Sequence, residues 1–203
     1  MEYQGLIEDD VVNVRALNRA WLRLAADGPE QLAFPDEARR HRLADAPFLL
    51  FTLREHEEPF WSTLLDDDPQ RELFATCPSA AQRELQTACL AWLWELSRRN
   101  PYAARIVAGA PLKWCEQIAA YPLVRLLRSA ADADLVRPRF PAESPMHRRL
   151  LLRAGSSLRA ARAAAQITAM QAMLTMTGLA RYDRLPAAAC RLKGPSRQVA
   201  DEV

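Results

Sequence analysis

The stretch "FTLREHEEPFWSTLLDDDPQRELF" (51–74) gathers Glu55, His56, Glu57, Glu58, Asp66, Asp67 and Asp68. These residue types ligate divalent cations, zinc through imidazole and carboxylate, calcium and magnesium through oxygen. Ligation requires the donors to share a face. Glu55 and Glu58 would do so on a helix, but His56 falls on another flank, no H-E-x-x-H spacing occurs, and the chain holds only 3 His. The stretch is therefore expected to be a solvated acidic face closed by a capping Asp68 before Pro69. No metal and no cofactor is expected.

Nucleophilic chemistry finds no better footing. "AGSSL" at 154–158 is not G-x-S-x-G and follows no strand, so it forms no nucleophile elbow. Neither phosphate-cradling glycine motif occurs, and 6 glycines leave little to build one. Cys77, Cys89, Cys115 and Cys190 contain no C-x-x-C pair, which excludes zinc-ribbon and dithiol redox readings. Cys89 and Cys115 sit among apolar residues and read as buried thiols. No catalytic motif is recognisable; an enzyme would have to reveal itself as a cluster of buried titratable groups.

Arginine is the remaining candidate. "HRRLLLRAGSSLRAARAAAQITAMQAMLTMTGLA" (147–180) opens with Arg148, Arg149, Arg153, Arg159 and Arg162 and is then uncharged from Ala163 to Ala180. On a helix Arg148, Arg159 and Arg162 fall within about 60° of one another, flanked by Arg149 and Arg153. With Lys113 they are the candidate contacts to nucleic acid or to a partner, unless they face the acidic residues of Glu55 to Asp68. The uncharged run is no bilayer span, because its bulk is Ala interrupted by Gln166, Thr168, Gln171, Thr175 and Thr177. Leu151, Leu158, Ala165, Ala169, Ala172 and Met176 form one stripe, and Ile167, Met170 and Leu174 a second beside it. The segment is thus expected to divide near Arg162 into a basic exposed head and a buried two-sided shaft.

Composition sets the frame for these residues. A chain of 203 residues with 50% hydrophobic and 26% charged residues is of soluble globular type and long enough to bury one core. Residues 1–100 carry 11 Arg and no Lys against 18 acids, a balance of −7; residues 101–203 carry the remaining 16 bases against 7 acids, a balance of +9. We expect a single all-α domain over 1–184, acidic through 1–100 and basic over 101–184, and a loosely ordered basic tail over 185–203. Lys113 and Lys193 are the only lysines, which with abundant Ala suggests GC-rich, bacterial coding. The start "MEYQGLIEDD" lacks a basic and an apolar region, so the expected location is the cytoplasm, with thiols reduced.

The positioning elements are announced by proline. Pro35, Pro69, Pro78, Pro101, Pro111, Pro122 and Pro145 each precede an apolar-periodic run, several behind Asp, Asn or Ser, as expected of first-turn prolines and caps. The pattern predicts a compact bundle of about eight helices with a long C-terminal core helix. A first helix runs from Asp9 or Asp10 to Gly28 with Val11, Val14, Leu17, Trp21 and Leu24 on one face, and a central apolar one follows Pro78. "PFLLFTLRE" shows no usable period and, lacking a partner strand, is assigned as helix. "DADLVRPRFPAESP" reads as an extended connector.

The short runs "PYAARIVAG" and "PLKWCEQIAAY" follow the helix, glycine turn, helix order of a DNA-reading motif. Lys113, Trp114, Glu116 and Gln117 would then face the bases, a set poor in base-reading types, so ordinary bundle helices are the expectation. "ACLAWLWELSRRNPYAARIVAG" with "PLKWCEQIAAYPLVRLLRSA" resembles the FlhD subunit of the bacterial flagellar transcriptional activator, over residues 87–130. There a long apolar helix leads into an Ala-rich turn and an L-x(6)-A helix. The chain departs from that family in its length and its acidic first half. The resemblance implies an α-helical regulator acting with a partner subunit on DNA. The expected function is a non-catalytic regulatory or interaction protein engaging nucleic acid or a DNA-bound partner through its basic half. The alternative is a helical adaptor or chaperone-like subunit that binds protein.

Overall fold

Proline and short polar side chains set where the helices begin, as expected for groups that satisfy or dispense with the first N–H donors. The computed structural model describes residues 5–27, 36–66, 78–139 and 153–182. Helix α1 spans Glu8–Asp27 with three acids in its first turn, favourable to the helix dipole. Asp36 caps α2 (Glu37–Ala44) by accepting from Ala38 N–H, and α3 (Glu58–Leu64) carries a proline in its first turn. Ser79 caps α4 (Ala80–Arg99). Asn100 accepts from both Tyr102 and Ala103 N–H at the head of α5 (Pro101–Ala108). Pro111 and Pro122 precede α6 (Leu112–Ala120) and α7 (Leu123–Ala130), and α8 runs over Arg159–Tyr182. The fold is all-α apart from one two-stranded pair.

Helix α4 is the axis of the core. α1, α5, α6 and α7 all pack on it, and it buries Leu85, Cys89, Leu90, Trp92, Leu93 and Leu96 on nearly every side. α1 contributes Val14, Leu17, Trp21 and Leu22, the stripe its spacing predicts plus one neighbour. Between α5 and α6, Gly109 adopts φ 61°, the left-handed cap that only glycine takes without strain. Ala104, Ala108, Cys115 and Ile118 are all buried around that turn. With Trp114 also inside, α6 is a bundle helix.

"PFLLFTLRE" is not a helix. Phe48, Leu49, Leu50, Phe51 and Leu53 are fully buried, and Phe51–Thr52 is a strand, β1, paired antiparallel with β2 (Arg137–Pro138). The partner lies in the proline-rich connector. A backbone this deep must find partners for its N–H and C=O groups, and one strand pair cannot supply them all. Side chains complete the set: Asn18 of α1, fully buried, donates to Phe48 O at 2.9 Å and accepts from Leu50 N–H at 2.9 Å. Trp61 Nε1 donates to Leu53 O and Arg54 O, and Glu55 accepts from Leu53 N–H at 2.7 Å. Arg139 donates through Nε to Leu49 O at 2.7 Å and through Nη2 to Phe51 O at 2.8 Å.

The C-terminal helix also departs from expectation. α8 meets the core along one edge, through Ala165, Ala169 and Met173, with Met173 Cε lying over Gly109. Leu158 is 69% and Ile167 57% exposed, so burial is one-sided. Alanine removes so little apolar surface from water that it does not dictate which stripe turns inward. Leu151 and the side chain of Met176 lie outside the described residues, as does the 185–203 tail.

Candidate nucleic-acid interface

Helix α2 reads EARRHRLA, and its buried residues are Leu43 and Ala44. Arg39, Arg40, His41 and Arg42 are therefore left towards the surface, the last two in the final turn, where cations complement the dipole. Arg42 Nε donates to Gly155 O at 2.9 Å across 113 positions. A Cβ on Gly155 would stand 2.4 Å from Arg39 Cγ, closer than real side chains approach, so this turn sits against α2 only because it lacks a side chain. Arg162 Nη1 holds the same turn by donating to Ser156 O at 2.9 Å. Arg153 and Arg159, both exposed, flank the turn. Two basic segments remote in sequence thus form one surface.

Helix α1 extends it. Arg15, Arg19 and Arg23 stand at i, i+4, i+8, a spacing that lines side chains along one helix face. Arg15 is engaged by Asp45 at 3.4 Å. Arg19 and Arg23 line a cleft of about 130 Å³ with Leu22 on their own helix and Glu37, Arg40 and His41 on α2. His41 Nε2 lies 3.9 Å from Glu37 Oε1. Among the described residues, Arg19, Arg23 and Arg40 make no ion pair.

Of the arginines singled out from sequence, Arg153, Arg159 and Arg162 gather at the turn into α8, while Arg148 and Arg149 lie outside the described residues. Lys113 stands on α6 with Nζ 2.5 Å from Glu58 Oε1. The acidic stretch is matched elsewhere: Glu55 by Arg139, Glu57 by Arg54 at 2.5 Å, Glu58 by Lys113. Asp67 and Asp68 lie outside the described residues. Sequence reasoning passed over Arg19, Arg23, Arg39, Arg40 and Arg42. The signal was there, as the four-residue spacing on α1 and the run "RRHR", but the balance of −7 over residues 1–100 hid it.

The buried polar groups are structural. Burial pushes the Cys89 thiol far above its usual value, aided by the Glu55 charge, and pushes Cys115 up to about 12. A thiol in that state is no nucleophile at neutral pH. Asp10 is buried between α1 and α4, where Arg99 Nη2 lies 2.5 Å from its Oδ2 and Trp92 Nε1 donates to Oδ1 at 3.4 Å. Among the described residues, no helix is long and apolar enough to cross a membrane. No protein-family model matches the chain, and no curated protein or solved structure matches it either.

Proposed function

We propose that the protein is a non-catalytic helical regulatory or interaction protein that engages nucleic acid, or a protein bound to it, through the arginine surface of α2 and the turn into α8. The observation that carries this reading is the bond from Arg42 Nε to Gly155 O, which adds Arg153 and Arg159 to the arginines of α2. Phosphate contacts from arginine supply sequence-independent affinity and register on a duplex. The resemblance of residues 87–130 to FlhD agrees with a regulator that works on DNA with a partner; in this chain those residues are the scaffold and not the contact surface.

Anisotropy of a labelled duplex tests it. The logarithm of affinity should fall linearly with the logarithm of salt, and Arg39→Ala with Arg159→Ala should lower that slope by about 0.9 for each phosphate contact removed. Absence of binding at about 50 mM salt overturns the reading. The exposed Leu158 and Ile167 on α8 favour a second reading, a helical adaptor, for which a pull-down should return one stoichiometric protein partner.

A further inference from the structure

The cleft between α1 and α2 has chemistry of its own. Arg19 and Arg23 reach it from one side, about 6 Å apart along the helix axis, and Arg40 from the other. Three guanidinium groups converge without a carboxylate within ion-pairing reach among the described residues. Each keeps its charge at every physiological pH and offers a planar fork that matches two oxygens of an oxyanion. Glu37 is the one acid in the lining, and it is turned to His41 at 3.9 Å. Leu22, almost wholly buried, forms an apolar wall, and such a wall strengthens electrostatic attraction by displacing water. The volume of about 130 Å³ equals that of about four waters at roughly 30 Å³ each. That suits one tetrahedral oxyanion and not a nucleoside.

We propose that this cleft is a phosphate-binding site, in which Arg19, Arg23 and Arg40 converge on a single phosphate group. The phosphate has two possible sources, a nucleic-acid backbone lying across α2 or a free phosphorylated small molecule. The site requires one phosphate from either source and does not rest on the polyanion surface.

The test is a titration of the protein with inorganic phosphate against a chloride control of equal ionic strength, followed by the arginine Nε–Hε resonances. Arg19, Arg23 and Arg40 should shift saturably with phosphate alone. Arg19→Ala and Arg40→Ala should each weaken binding about tenfold, and Arg40→Lys, which keeps the charge, should lose less. Shifts that never saturate, or that are the same in chloride, overturn the proposal, as does unchanged affinity in Arg40→Ala. All variants should keep the parent melting temperature, since the altered side chains leave the core intact. Labelled duplex then separates the sources. If phosphate displaces duplex and the cleft variants weaken it, the occupant is a backbone phosphate; if the variants lose phosphate yet bind duplex as before, it is a small molecule. Failure of duplex binding with phosphate still saturating sinks the polyanion reading and leaves the cleft standing.

Discussion

The Arg139 guanidinium and the Glu55 carboxylate, 84 positions apart, lie 3.3 Å from one another with only 6% and 2% of their side chains exposed. Each also serves the backbone of the strand segment, Arg139 through Leu49 O and Phe51 O, Glu55 through Leu53 N–H. Burial pulls the guanidinium below the usual arginine range and the adjoining carboxylate opposes the fall. The pair ties the connector to the core, with Gly109 leaving the room: a Cβ there would come within 2.7 Å of Arg139 Nη1.

Breaking that pair from either side should cost about 3–5 kcal/mol, because the remaining charge stays buried. Arg139→Met and Glu55→Gln are the variants, and the urea midpoint is the measurement. The two losses should also be strongly non-additive in the double variant, as for residues in contact. Additive losses would mean that the two groups act separately.

Asn18 should be equally intolerant of change. Asn18→Leu keeps the volume but leaves Leu50 N–H and Phe48 O without their side-chain partner, at about 1–3 kcal/mol for each buried group left unpaired. A loss under about 1 kcal/mol in equilibrium unfolding would show that packing alone holds the segment.

Asp10 should give stability a pH-dependent component. Burial raises its pKa, but hydrogen bonds from Arg99, Ile7 N–H and Trp92 together with the Arg99 charge outweigh this and hold the carboxyl below its ordinary 3.8. A folded value below the unfolded one means the contribution is fully present above the ordinary pKa and is lost as pH falls through the folded one. The stability gap between parent and Asp10→Asn should therefore be widest near neutral pH and close below about pH 4. A gap that stays constant on acidification would count against the argument.

On α8, Met173→Asp places an unpaired charge against Gly109 and should cost about 3 kcal/mol or more. Ile167→Asp, on the exposed side, should stay within about 0.5 kcal/mol. Thermal melts of the two decide which edge of the helix is inside.

Local structure was legible in the sequence where it depends on residues within a turn or two. Asn100 before Pro101, Ser79 after Pro78 and Gly109 after Ala108 each set a helix boundary by their own hydrogen-bonding or φ preference. Val14, Leu17 and Trp21 announced the buried face of α1 by spacing alone. The helical class, the central α4 and the bundle character of α6 followed from such short-range rules.

Tertiary structure decided what depends on groups remote in sequence. The 48–53 segment is extended because Asn18, Arg139 and the β2 backbone supply its hydrogen bonds, and no period within the segment encodes those partners. The register of α8 was open because alanine buries too little surface to choose a face. The arginine surface arises only when Gly155 lets its turn settle on Arg39 and Arg42. Net charge summed along the chain averages over residues that folding sorts apart, so the acidic half kept a basic face that only three dimensions expose.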